Sequence, residues 1–231
     1  MYIFGNPKFN MNIVVARHGS TILNEDNKYQ GIKYDYHLTE DGKKEIAMLR
    51  EKLQDLCTFD AIFTSDTIRA QETAEILTGI PREQFIVDTR LCPFDLGDAD
   101  GKKESELFTI SRFPILAKGK EQLIRSYLKR IRMFLRDTLA EYNGKSILIV
   151  THDDISGIMD AYLCNYPFVK GPHNGIKNGN ARIYYLRDNQ PSKYAQVEKL
   201  ESKNIHFHGP QNIVVQKRNI YGKNNKNSME K

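Results

Sequence analysis

The sequence predicts an α/β fold, a three-layer α/β/α sandwich built on a mostly parallel central sheet. Short apolar, β-branched runs alternate along the chain with longer stretches of helical periodicity, the order that produces parallel strands joined by helical crossovers. The run at 146–150 is apolar almost throughout, as a strand covered on both faces must be. Several of these runs stop abruptly at polar clusters. In a parallel sheet, strand ends of one polarity share one rim, and ligands bind there.

Residues 1–11 read as a polar and aromatic arm, and the first strand is expected at 12–16. A polar loop follows at 24–33. Thr39 is placed to cap a helix over 40–56, in which Ile46, Leu49, Leu53 and Leu56 recur at helical spacing and Glu40 and Asp41 suit the positive end of the dipole. A strand is expected at 59–64 and a helix at 66–77, closed by Gly79 and Pro81. A brief strand at 85–87 leads into a glycine- and aspartate-rich loop, 91–101. The mixed stretch 102–120 is a candidate insertion over the site. The helix expected at 121–142 carries one apolar stripe, from Leu123 through Ile131, Leu135 and Leu139 to Tyr142, with a basic face opposite. Asn143-Gly144 ends it, and the strand at 146–150 leads through His152 into a helix at 154–163. The Gly-, Pro- and Asn-rich segment 166–180 is loop, and 181–187 is a final strand of the domain. The domain is expected to span 12–190, followed by an extension, 191–231, with a further strand at 212–215 and a disordered Lys- and Asn-rich end.

The composition is that of an ordinary globular chain: 231 residues, 40% hydrophobic and 27% charged. No apolar run is long enough to span a bilayer, and the first residues lack the pattern of a signal peptide, so no membrane association is expected. Cys57, Cys92 and Cys164 have neither a disulfide framework nor zinc spacing, which suggests small core residues in a reducing, cytoplasmic setting. The net charge of +5 lies largely towards the carboxyl end and accompanies no nucleic-acid-binding module, so no nucleic acid partner is expected.

The chain is organised around Arg17-His18-Gly19, at the end of the first strand. Arg17 supplies a fixed cation with a planar fork of donors, His18 a nitrogen nucleophile, and Gly19 a backbone that can turn tightly. These three residues alone fit a charged strand end beside a solvated histidine equally well. The other strand ends decide. Ser65 to Arg69 and His152-Asp153 also follow apolar runs, so the topology delivers two arginines, two histidines and a carboxylate to one crevice. A phosphate dianion asks for that set, and no metal or other cofactor is needed to explain it.

These segments resemble the histidine phosphatase superfamily, which includes phosphoglycerate mutases, fructose-2,6-bisphosphatases and many small phosphatases. The resemblance runs in order through Arg17-His18-Gly19-Ser20-Thr21-Ile22-Leu23-Asn24, then Gly31, Asp35 and Leu38-Thr39-Glu40-Asp41-Gly42. It continues through Ser65-Asp66-Thr67-Ile68-Arg69-Ala70-Gln71-Glu72-Thr73-Ala74, then Ile147 to His152, then Gly179-Asn180. It implies a phosphoglycerate mutase-like fold. It also implies a phosphohistidine intermediate on His18, phosphoryl oxygens held by Arg17, Arg69 and His152, and a donor from Asn24 at the pocket edge.

One position departs from that pattern. Where the mutase-like branch carries a glutamate acid, this chain has Pro93. Asp153, which follows His152 as in the acid phosphatase branch, is the preferred replacement, and Asp95 is the other candidate. Asp153 would equally serve as a helix N-cap and Asp95 as a turn residue. The missing glutamate favours a phosphomonoester hydrolase over a mutase, with a non-catalytic phospho-ligand or protein-binding module as the rival of another class. The expected partner is a small phosphorylated substrate or a phosphoprotein.

Overall fold

A computed structural model describes residues 9–54, 58–107, 121–164, 175–187 and 196–202. Its sheet has six strands: β1 (Met11–Arg17), β2 (Ala61–Thr64), β3 (Ile86–Val87), β4 (Ser146–Thr151), β5 (Ala181–Leu186) and β6 (Gln196–Leu200), in the order β3-β2-β4-β1-β5-β6. The first four in that order are mutually parallel, and β5 and β6 are antiparallel additions at one side. The mostly parallel sheet is therefore as expected.

The helices are α1 (Ile22–Glu25), α2 (Glu40–Gln54), α3 (Ile68–Thr78), α4 (Glu104–Leu107), α5 (Glu121–Glu141) and α6 (Asp153–Leu163). Alternation along β1 shows how they are layered. Ile13 and Val15 face a core completed by Ile131, Phe134 and Leu135 of α5 and Ile155, Ile158 and Met159 of α6. Val14 and Ala16 face the opposite core, with Ile46, Leu49 and Leu53 of α2 and Ala70, Ala74 and Leu77 of α3. With a side-chain period of two, a strand covered on both faces must be apolar at every position. All of Ile147 to Val150 on β4 is buried accordingly.

Local chemistry sets the ends of the elements. The Thr39 hydroxyl accepts the Gly42 N–H at 3.0 Å and so caps α2, as its position predicted. Gly79, in the left-handed conformation with φ 71°, closes α3. Three details differ from expectation. His152, not Asp153, is the N-cap of α6, and Asp153 opens its first turn. Helix α1 occupies a stretch too short to show periodicity. The sheet continues past residue 190, because β6 pairs with β5 over Gln196 to Leu200. The candidate strand at 212–215, most of the stretch 102–120 and most of the loop 166–180 lie outside the described residues. Among those described, no helix is long and apolar enough to cross a membrane.

Candidate active site

The carboxyl ends of β1, β4 and β2 are neighbours at the centre of the sheet. Arg17 is the register partner of Thr151, and Val150 that of Thr64. The next residue on each strand therefore opens onto one rim: His18, His152 and Ser65. The His18 N–H donates to the Thr151 carbonyl at 3.1 Å, which holds the two chain ends together as they leave the sheet. The imidazoles of His18 and His152 lie 5.1 Å apart, centroid to centroid, and both are buried.

The tautomer of neutral His18 follows from its surroundings. Nδ1 lies 2.8 Å from the Gly19 carbonyl, and a carbonyl only accepts, so Nδ1 carries the proton. In the neutral ring the lone pair is then on Nε2. Burial, with the charges of Arg69 and Arg17 beside it, holds His18 well below the ordinary histidine value of 6.5. His152 is held down in the same way, by burial first and then by Arg69, His18 and Arg17. Its Nε2 is 3.0 Å from the Ser65 hydroxyl, and its Nδ1 is 3.5 Å from Arg69 Nη2.

Arg69, the second residue of α3, is fully buried. Its Nη1 donates to the Asp35 carboxylate at 3.0 Å and its Nη2 to the Gly31 carbonyl at 3.0 Å. Asp100 steadies that loop by accepting the N–H groups of Gly31 and Lys33 at 2.8 and 2.9 Å. Arg17 Nη1 donates to the Ile176 carbonyl at 3.1 Å and lies 3.6 Å from Asp153 Oδ2. Burial lowers both guanidinium groups from the usual arginine value, Asp153 and Asp154 opposing it at Arg17 and Asp35 at Arg69, but both stay cationic. The Nε atoms of Arg17 and Arg69 are buried and make no hydrogen bond. Asn24 turns its carbonyl oxygen towards the Thr21 N–H, at 3.1 Å, and the Asn178 amide, at 3.2 Å.

Two guanidinium groups, two imidazoles held below their ordinary pKa and a carboxylate thus come together on one rim, and the cations and imidazoles are groups suited to binding an anion. A family model described as the histidine phosphatase superfamily (branch 1) matches residues 13–197. The chain belongs to that superfamily. It is 30% identical over 153 residues to a probable 2-carboxy-D-arabinitol-1-phosphatase of Arabidopsis thaliana, covering 62% of this chain and 31% of that protein. It is 27% identical over 154 residues to phosphoglycerate mutase-like protein 4 of the same plant, covering 62% of this chain and 66% of the relative. The chain thus spans about a third of the length of the first relative and just under two thirds of the second. Its fold matches the crystal structure of a putative α-ribazole-5′-P phosphatase from Escherichia coli. The TM-score is 0.69 at 22% identity, over 86% of this chain and all of the other.

Within this member of the superfamily, the two carboxylates considered as acids are placed differently. Asp153 sits beside Arg17 with its side chain 45% exposed, so its carboxylate faces both that guanidinium group and solvent. Asp95 is exposed on its loop, and its carboxylate accepts the Gly97 N–H at 2.9 Å to close a turn. Among the described residues no contact joins Asp95 to either histidine or to Arg17 or Arg69. Pro93 is buried. Asp154, adjacent to the candidate acid, is engaged by the Phe94 and Ile155 N–H groups at 2.7 and 2.9 Å. No group of three or more His, Cys, Asp or Glu side chains among the described residues is placed to hold a metal ion.

Several supports of this site were not individually foreseen. Thr73 accepts the Gly19 N–H at 3.0 Å, and Asn178 donates to the His18 carbonyl at 3.1 Å. The spacing of Thr73 from Arg69, one helical turn, was a readable signal for a shared face. Nothing in the sequence pattern singled out Asn178.

Proposed function

We propose that this chain hydrolyses phosphomonoesters through a phosphohistidine on His18. The observation that carries the reading is the tautomer: with its proton on Nδ1, neutral His18 keeps a nucleophilic lone pair on Nε2, with the charges of Arg69 and Arg17 close by. Nε2 attacks phosphorus, the bond to the ester oxygen breaks, and the leaving oxygen takes a proton from Asp153. Arg17, Arg69 and His152 hold the phosphoryl oxygens as charge redistributes. Water then attacks the phosphohistidine while the Asp153 carboxylate takes its proton. Inorganic phosphate leaves, His18 returns to its neutral form and Asp153 to its acid form.

The expected result for His18→Ala is a folded protein that loses turnover by about 10³-fold or more. A phosphorylated His18, trapped from the wild type by rapid quench and identified by mass spectrometry, is the direct check. Wild-type turnover in the alanine variant overturns the mechanism. With Arg17 and Arg69 supplying the positive charge, activity is expected to persist in EDTA.

Asp153→Asn is expected to lose about 10²-fold or more on phenyl phosphate, a poor leaving group, and far less on p-nitrophenyl phosphate. Asp95→Asn, which loses only a turn contact, is expected to lose little on either. The reverse pattern transfers the acid to Asp95. The similarity to a phosphoglycerate mutase-like protein keeps mutase activity as a second reading, and interconversion of 2- and 3-phosphoglycerate with a bisphosphate primer tests it. Small phosphorylated molecules are the substrate class proposed, because the similar proteins are named for such substrates and two arginines stand beside the two histidines on the same rim.

A further inference from the structure

We propose that Arg182 is a positioning residue for Asp153, acting through the segment at Gly175 and Ile176. This rests on the reading of Asp153 as the leaving-group acid. Arg182 lies on β5, paired with Val15 two residues before Arg17. Its side chain is buried against α6, where Nη1 lies 3.1 Å from Asp160 Oδ1. The same carboxylate oxygen accepts from the Tyr184 hydroxyl at 2.8 Å, and both Asp160 and Tyr184 are buried. Burying such a pair forfeits the hydration of both ions, so stability alone does not account for it. What the pair supplies is a fixed donor: Arg182 Nη2 donates to the Gly175 carbonyl at 3.0 Å.

That bond reaches the active site within one residue, by three routes. The Ile176 carbonyl accepts from Arg17 Nη1 at 3.1 Å. The Ile176 N–H donates to the Ser156 hydroxyl at 2.9 Å, and that hydroxyl donates to the Asp153 carbonyl at 2.7 Å. Gly175 itself lies against the Asp153 carboxylate so closely that a β-carbon there would overlap Oδ1. Arg182 therefore braces a short strut whose far side touches the acid's side chain, the acid's backbone and the arginine beside it. Only a guanidinium fork meets Asp160 and the Gly175 carbonyl together, since an ammonium group on a lysine stem is a single point of charge.

The test compares kcat/KM on phenyl phosphate and on p-nitrophenyl phosphate for the wild type, Asp153→Asn, Arg182→Lys, Arg182→Met and Ser156→Ala. A displaced acid is felt only where the leaving group needs a proton. Arg182→Lys and Ser156→Ala are expected to lose about tenfold on phenyl phosphate and less than about threefold on p-nitrophenyl phosphate. Arg182→Met is expected to exceed that, but it removes the cation opposite the buried Asp160 and risks unfolding. Arg182→Lys keeps a charge opposite Asp160 and so carries the test of the residue, while Ser156→Ala carries the test of the strut with the ion pair intact. Equal losses on the two substrates, or wild-type rates, in Arg182→Lys overturn the proposal, because a general structural defect lowers both alike. If Asp153→Asn itself fails to discriminate between the two substrates, it is the acid assignment that falls.

Discussion

At the residue scale, the proposed chemistry rests on histidines kept neutral by burial and by neighbouring arginines. That arrangement has a thermodynamic signature. The unfolded chain protonates His18 and His152 near their ordinary value of 6.5, whereas the folded chain resists protonation until well below it. Below that pH the unfolded state therefore binds more protons, and stability rises with pH across the interval. The contribution is fully present above about pH 6.5 and is lost as pH falls from there towards the folded values. Each histidine adds a slope of up to about 1.4 kcal/mol per pH unit. Urea unfolding between pH 7 and pH 5, in a buffer without phosphate, is expected to show this loss, with a shallower slope in His18→Gln and His152→Gln. Arg17, His18, Arg69 and His152 were legible in the sequence because each follows an apolar run that can only be a strand or a strand and its turn. Asp100 was not, because it acts through backbone: it reads as one more loop aspartate until the N–H groups of Gly31 and Lys33 are found bonded to it.

At the scale of elements, α2 holds the His18 loop by close backbone approach. A β-carbon at Gly42 would overlap the Ser20 carbonyl, and one at Gly19 would lie 2.8 Å from Ile46 Cγ1 and 2.9 Å from the Gly42 carbonyl. Both glycines are needed for contact, not for turning, since neither has a positive φ. Gly42→Ala is expected to push α2 off the loop, costing about 1–3 kcal/mol of stability and lowering kcat/KM through the displaced His18. Urea unfolding and phosphatase assays on the same preparation check both effects. Unchanged activity in a destabilised variant would show that the loop is held from its other side, by Thr73 and Asn178. The helices and strands were readable where periodicity had room to show, as in α5 with its buried Tyr127, Ile131, Phe134, Leu135 and Leu139. The boundary at α6 was harder. His152 and Asp153 are both polar residues at a helix start, and only the backbone shows that the histidine takes the cap while the aspartate enters the first turn beside the helix dipole.

At the scale of the molecule, the rim that carries the candidate site depends on strands on both sides of β1. The parallel side was predictable from buried, unbroken runs. The antiparallel side was only half visible, because Gln196 to Leu200 carries Gln, Glu and Lys and reads as solvated chain. Its pairing with β5 makes it part of the sheet. It also leads to Ser202, which is buried and whose N–H and hydroxyl both reach the Asn180 side-chain carbonyl, at 2.9 and 3.2 Å. The Asn180 backbone carbonyl in turn accepts the Arg17 N–H at 3.1 Å. The far edge of the sheet is thus tied to the first arginine of the site. A chain ending at residue 202 retains this tie, and one ending at residue 187 loses both the tie and β6. The shorter chain is expected to be less stable by about 3 kcal/mol or more, from the lost ladder bonds and the uncovered Leu200 contacts. It is also expected to have lower kcat/KM and to self-associate through the bared β5 edge. Urea unfolding, the p-nitrophenyl phosphate assay and light scattering on the two chains measure these three effects. If the shorter chain unfolds earlier yet turns over substrate at the rate of the longer one, β6 supports the sheet without supporting Arg17, and the rim is held by the parallel strands alone.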